Sequence, residues 1–108
     1  MKTYRQGDVL LRSAEIPATA KDETPEGRIV LAYGEVTGHA HAFHDARVRY
    51  FMETGSGGVA PRAFIRVPGD RPAELVHEEH HTIAVAPGDY EVVRQREYHP
   101  EEIRRVED

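Results

Sequence analysis

Six of the seven histidines in this 108-residue chain fall into two short clusters whose spacing is typical of metal ligands. The first cluster spans residues 38–44 (GHAHAFH) and the second spans residues 77–81 (HEEHH). In the first, one alanine separates His39 from His41, so on a β-strand both side chains project from the same face. Two imidazoles at that spacing can converge on one divalent metal, about 2.0–2.1 Å from each nitrogen.

The second cluster allows two interpretations. If a regular strand continues backward through it, then His77, Glu79 and His81 face inward. If instead Glu78 and Glu79 form a turn, His77 ends one strand and His80 begins the next, side by side across a hairpin. We favour the hairpin, because two adjacent acids are uncommon in a protein interior. The predicted metal ligands are His39, His41, His77 and His80, with His81 and Glu79 as substitutes.

The chain has no cysteine, so a transition metal would have to be held by histidine and carboxylate. We expect zinc, iron, nickel or manganese. Three histidines and an open position would suit a metal-dependent hydrolase or oxygenase, with Glu79 or Glu53 as general base. Four protein ligands would suit a closed site in a metal-stabilised module that binds a protein or nucleic acid. In a third interpretation the histidines are solvated and the domain serves only for interaction.

The net charge is −5 with neutral histidine and would become +2 with all seven histidines protonated. The negative value argues against bulk electrostatic binding to nucleic acid. A local strip of arginines could still bind phosphate or nucleic acid, although we favour a solvated face balanced by nearby acids. The arginines of this predicted strip are Arg47, Arg49, Arg62, Arg66, Arg94 and Arg96.

The length fits one domain, and nine glycines and seven prolines favour many turns. About eight short strands with regularly spaced turn signals predict an all-β barrel or sandwich. Residues 13–27 are predicted to be a loop, and residues 100–106 a short terminal helix. No apolar run reaches the roughly 20 residues of a membrane span, and no signal peptide is recognisable, so we expect a cytoplasmic protein. A homodimer is plausible on general grounds.

Residues 34–41 (GEVTGHAH) resemble the first half of a cupin motif. Cupins are small β-barrels in which a His-x-His pair, an acid and a third histidine line the interior. The resemblance implies that the histidine pair corresponds to His39 and His41. It places the acid on Asp45 or Glu53 and the third histidine on His77 or His80.

The whole chain also resembles a family of small uncharacterised bacterial and phage-associated proteins. The shared segments are residues 5–11 (RQGDVLL), 34–41 (GEVTGHAH), 77–80 (HEEH) and 90–98 (YEVVRQREY). This resemblance implies no assigned activity.

Overall fold

The computed structural model describes residues 2–33, 39–55, 57 and 60–94. These residues form ten β-strands, and no helix occurs among them, which confirms the all-β prediction. The strands are β1 (Thr3–Gln6), β2 (Val9–Ser13), β3 (Lys21–Asp22), β4 (Ile29–Tyr33), β5 (Ala40–Phe43), β6 (Arg49–Glu53), β7 (Arg62–Val67), β8 (Ala73–Val76), β9 (Ile83–Val85) and β10 (Gly88–Arg94).

The strands form two open antiparallel sheets that pack as a sandwich. The six-stranded sheet has the order β1-β2-β10-β7-β6-β3, and the four-stranded sheet has the order β4-β5-β8-β9. Alternating side chains of each strand point between the sheets, where the apolar ones form one core. The largest fully buried core side chains are Tyr90, Phe43, Phe64, Leu11, Ile65, Leu75, Val9, Val48, Val67 and Val85.

Two side chains of β1 join the edges of the sheets where β1 approaches β9. Gln6 Nε2 donates hydrogen bonds to the carbonyl oxygens of Leu75 and His81, at 2.9 and 2.8 Å. The Tyr4 hydroxyl accepts a hydrogen bond from the Ala86 N–H at 3.1 Å. This junction places the end of β1 beside the ends of β5 and β8, where both histidine clusters lie.

The elements differ in three places from what the sequence pattern indicates. The predicted loop contains β3, because Lys21 and Asp22 pair with Met52 and Phe51. The terminal segment Thr3–Gln6, which lacks a clear strand signal, forms β1. The sequence pattern also predicts a strand over residues 47–52, and its start at Arg47 is wrong. Residues 45–48 form a turn closed by a Val48 N–H to Asp45 O hydrogen bond, and β6 begins at Arg49.

The predicted helix at residues 100–106 lies outside the described residues. Within the described part of the chain, no helix is long and apolar enough to cross a membrane.

Candidate metal centre

Three histidines from the two clusters converge at the junction of the sheets. His41 lies on β5, His77 directly follows β8, and His80 lies in the turn before β9. One ring nitrogen of each lies within 4.8 Å of the others. The ring centroid of His77 is 4.2 Å from that of His41 and 4.6 Å from that of His80. The structure therefore brings together three of the four predicted ligands.

The hairpin between β8 and β9 explains how two of these histidines meet. Residues 78–80 form a bend, so the chain reverses directly after His77. His80 belongs to this bend and not to the following strand, which begins only at Ile83. The side-by-side placement of His77 and His80 thus comes from the turn itself.

His41 is held by a buried amide. Its Nδ1 lies 2.8 Å from Gln6 Oε1, and both residues are 3% exposed. Since Gln6 also binds two carbonyl oxygens, its side chain is anchored at three points. The imidazole of His41 is consequently fixed to β1 as well as to its own strand.

His77 is buried and has one nitrogen without a partner. Its Nδ1 accepts a hydrogen bond from the Glu79 N–H at 3.0 Å. Its Nε2 has no hydrogen-bond partner within the described residues, although the residue is 94% buried. Burial lowers the pKa of His77, and the neighbouring His80 lowers it further. The ring is therefore held neutral, which is the form that can bind a metal.

A glycine lies close to two of the three histidines. Gly7, in the turn between β1 and β2, has a φ of +57°. A Cβ at this position would lie 2.8 Å from His80 Nε2 and 3.1 Å from His41 Cε1. The positive φ favours a glycine here, and an added Cβ would force the His80 ring to move.

Glu78 ties the histidine turn to the beginning of β5. Its Oε1 accepts a hydrogen bond from the Ala40 N–H at 2.9 Å. This bond is the main reason that the pKa of Glu78 is lowered, and its own backbone N–H contributes. The turn that carries His80 is thereby attached to the strand that carries His41.

His39 and Glu79 lie beside the cluster but outside the converging group. The His39 ring centroid is 5.9 Å from that of His77, in an edge-to-face arrangement. His39 Nδ1 lies 3.3 Å from Glu79 Oε2, which forms an ion pair when the histidine is protonated. The Glu79 carboxylate is half exposed. Glu79 is therefore a carboxylate next to the histidines, as a general base would have to be.

The other two predicted acids are occupied elsewhere. Glu53 Oε2 accepts a hydrogen bond from the Thr19 hydroxyl at 2.6 Å, and its Oε1 lies 3.3 Å from an Arg62 nitrogen. Asp45 binds the Arg47 guanidinium at 2.7 Å, and this contact lowers the pKa of Asp45. The structure does not bring either carboxylate into the histidine group.

The remaining histidines differ in what they contribute. The exposed His81 supplies its backbone carbonyl to Gln6. His44 is also exposed and lines an open groove of about 420 Å³ with Asp45, Arg71, Pro72, Glu74 and Val76. His99 lies outside the described residues.

The five described arginines of the predicted strip bind groups of this chain. Arg49 pairs with Asp22 at 2.9 Å, Arg66 with Asp89 at 2.9 Å, and Arg62 with Glu91 at 3.2 Å. Two others contact backbone carbonyls: Arg94 binds that of Leu31, and Arg47 binds those of Pro68, Arg71 and Pro72. Arg96 lies outside the described residues. The pairing of these cations with acids is what a solvated, charge-balanced face requires.

Gln6 and Gly7 are functional candidates that the histidine spacing does not reveal. Both lie in the RQGDVLL segment, where a glycine before aspartate indicates only a turn. The available signal is the phase of β1, which puts Gln6 on the same inward face as Tyr4. A buried glutamine at that position needs polar partners.

A sequence model of an uncharacterised domain family matches residues 5–95, which include all the residues of the site. The chain belongs to the DUF8820 family, described as a domain of unknown function. No curated protein and no solved structure matches the chain.

Proposed function

We propose that this domain binds one divalent transition metal through His41, His77 and His80. The observation that carries the proposal is the convergence of one nitrogen from each ring to within 4.8 Å. Nitrogens around a tetrahedral metal lie about 3.3 Å apart. Small rotations of the side chains would close that difference, since His80 is exposed and can move.

The buried nitrogen of His77 supports the same assignment. A polar atom in the interior without a partner is costly, about 1–3 kcal/mol in typical proteins. A metal at His77 Nε2 would satisfy that atom. Binding there places the ring proton on Nδ1, so the hydrogen bond from the Glu79 N–H must open. The Glu79 amide is thus a local reporter of metal binding.

The donor atoms favour some of the expected metals over others. Three neutral imidazoles suit zinc, iron and nickel, whereas manganese prefers carboxylate and other oxygen ligands. We therefore expect Zn²⁺ to bind tightly and Mn²⁺ weakly. Three protein ligands also leave one tetrahedral position for water or another small molecule, as in catalytic zinc sites.

A metal in such a site acts as a Lewis acid and lowers the pKa of its bound water. Among the described residues, Glu79 is a carboxylate beside His39 that could accept a proton at the edge of the site. His39 lies against Glu79 and would orient it or share its proton. These roles extend the proposal from metal binding to a metal-dependent enzyme. Its substrates would be small molecules that reach the site from the solvent beside the exposed His80.

The binding proposal is tested by titrating purified, chelator-treated protein with Zn²⁺ in a calorimeter. We expect one ion per chain, and a loss of affinity of more than about 100-fold in His41→Ala, His77→Ala and His80→Ala. The matched control is His44→Ala, which removes an exposed histidine outside the group. Failure of the unmodified protein to bind Zn²⁺, or an equal loss in the control, would contradict the proposal.

A separate experiment tests whether the proposed metal has an open fourth coordination position. Co²⁺ replaces Zn²⁺ in such sites and absorbs visible light according to its coordination. Azide added to the Co²⁺-loaded protein should change this spectrum, because it can occupy the fourth position. A spectrum that azide leaves unchanged would indicate a closed site and a structural role for the metal.

A further inference from the structure

The orientation of the Gln6 amide is determined by its surroundings. Its Nε2 lies 2.9 Å from the Leu75 carbonyl oxygen and 2.8 Å from the His81 carbonyl oxygen. An amide nitrogen has two N–H groups and can donate to both oxygens. The opposite orientation would place Oε1 against two acceptors, so it is excluded on electrostatic grounds.

This orientation determines which nitrogen of His41 carries the proton. Gln6 Oε1 can only accept a hydrogen bond, and its neighbour at 2.8 Å is His41 Nδ1. A neutral imidazole has one N–H donor and one acceptor nitrogen, so the proton lies on Nδ1. The lone pair of His41 is then on Nε2.

We propose that Gln6 is the positioning residue of the metal site, and that it makes His41 bind through Nε2 by fixing its tautomer and ring orientation. The inference rests on the proposed metal binding and deepens it. Without Gln6, a neutral His41 could place its proton on either nitrogen. Only the tautomer with the proton on Nδ1 presents the Nε2 lone pair to the metal, so part of the protein would be in a form that cannot bind through Nε2. Metal-bound histidines commonly donate their second N–H to an oxygen in this way.

The same hairpin contributes twice to the site. Gln6 ends β1, and Gly7 follows it in the turn that lies against His80. The β1–β2 hairpin therefore fixes one histidine by a hydrogen bond and leaves room for another. This hairpin belongs to the six-stranded sheet, whereas the ligands lie on or beside strands of the four-stranded sheet.

The test compares two substitutions that both disrupt the pair of hydrogen bonds from Gln6 Nε2 to the Leu75 and His81 carbonyl oxygens. Gln6→Met has a similar length but no acceptor for His41 Nδ1. Gln6→Glu keeps an oxygen that can accept this bond. Its other oxygen lies against the two carbonyl acceptors, so the buried carboxyl group should be protonated and donate to one of them. We expect Gln6→Met to weaken Zn²⁺ binding by about 10- to 100-fold, and Gln6→Glu to stay within about threefold of the unmodified protein, although both lower stability.

Tyr4→Phe is the matched control, because it removes the other β1 side-chain bond at the same junction without touching His41. A merely structural role for Gln6 would make its two variants lose affinity equally, and that result would overturn the proposal. So would Gln6→Met binding Zn²⁺ as tightly as the unmodified protein.

A second measurement does not depend on metal binding at all. ¹⁵N NMR of the histidine rings in the metal-free protein should show His41 protonated at Nδ1, and Gln6→Met should lose this preference. If the unmodified protein shows Nδ1–H but binds no Zn²⁺, the tautomer assignment stands and the proposed function fails. If His41 is protonated at Nε2, the role of Gln6 is overturned whatever the metal affinity.

Discussion

The approach of His41, His77 and His80 depends on a few contacts of individual residues. In the metal-free protein His41 is held by Gln6, His77 by the Glu79 N–H, and His80 by its packing against the backbone of Gly7. Each ring is held by a contact with a single residue, and each of these contacts is of a different kind. The site should therefore respond to single substitutions that leave the three histidines in place.

Gly7→Ala is expected to weaken Zn²⁺ binding. The new methyl group would lie 2.8 Å from His80 Nε2 and would push that ring out of the cluster. The positive φ of Gly7 also costs an alanine about 1 kcal/mol of stability. Zinc titration and urea denaturation measure the two effects separately.

Gly27→Ala is the control for this substitution. Gly27 has a φ of +82° and nothing within 4 Å of an added Cβ. The control should lose a similar amount of stability while keeping its affinity for Zn²⁺. Equal zinc affinities in the two variants would show that the space at Gly7 does not matter to the site.

Among the elements, the turn between β8 and β9 has the greatest influence on the site. It carries His80, follows His77 directly and is attached to β5 through Glu78. Its shortness brings two histidines together, and its attachment to β5 brings both to the third. The turn is thus the element that assembles the group.

Glu78→Ala should reduce Zn²⁺ affinity by about tenfold, because the turn loses its bond to the Ala40 N–H. Affinity is measured by calorimetry at pH 7.5. Glu74→Ala serves as the control, since Glu74 is an exposed acid on β8 that is not part of the turn. A control variant that loses as much affinity would assign the effect to general charge and not to the Ala40 contact.

The short strand β3 is held by a carboxylate that responds to acid. Hydrogen bonds from the Thr24 hydroxyl and N–H, together with Arg49, lower the pKa of Asp22 to about 2. Its pKa in the unfolded chain is close to the ordinary 3.8. The stabilisation is complete above that value, and it is lost as the pH falls through the folded value near 2.

Urea denaturation at pH 5 and at pH 2.5 should show this loss. Asp22→Asn, which cannot ionise, should lose less stability between the two pH values than the unmodified chain. Asp70→Asn, in the exposed turn after β7, should behave like the unmodified chain. An identical pH response of the Asp22 and Asp70 variants would contradict the role of Asp22.

Much of the strand pattern is predictable, because apolar and β-branched residues mark it directly. β4 and β7 carry Ile29, Val30, Ile65 and Val67 and are bounded by turn residues. β1 is different, since its inward side chains are Tyr4 and the polar Gln6. β3 has only two residues, and its pairing with β6 is a tertiary effect that local sequence does not contain.

The parts of the site that depend on spacing within a few residues could be predicted from the sequence. The His-x-His pattern indicates His41, and the two acids between His77 and His80 indicate a turn. The spacing does not show that His39 stays outside the group. It also cannot reveal Gln6, which lies 35 positions from His41 and 75 from His81. Contacts over such separations follow from the packing of the two sheets.

For the whole molecule, the proposed metal should act as a stabilising ligand. A ligand that binds only the folded state at 100 times its Kd adds about 2.7 kcal/mol to the free energy of unfolding. For a domain of this size, that raises the Tm by roughly 10 °C. Thermal unfolding followed by circular dichroism, with and without Zn²⁺, measures the shift.

A chelator should reverse this increase, and His77→Ala should abolish it. His44→Ala should retain it. A Tm that is independent of Zn²⁺ in the unmodified protein would contradict stabilisation of the folded state by metal. An equal shift in His77→Ala would place the bound ion elsewhere.

The junction at Gln6 also has a kinetic consequence. Its bonds join β1 to the turn before β9, across 75 positions of the chain. Contacts between such distant segments form late, because closing a long loop is entropically costly. We expect the metal site to be assembled after the folding transition state, which stopped-flow folding and unfolding rates with and without Zn²⁺ would test. Bound Zn²⁺ should consequently slow unfolding while leaving the folding rate almost unchanged.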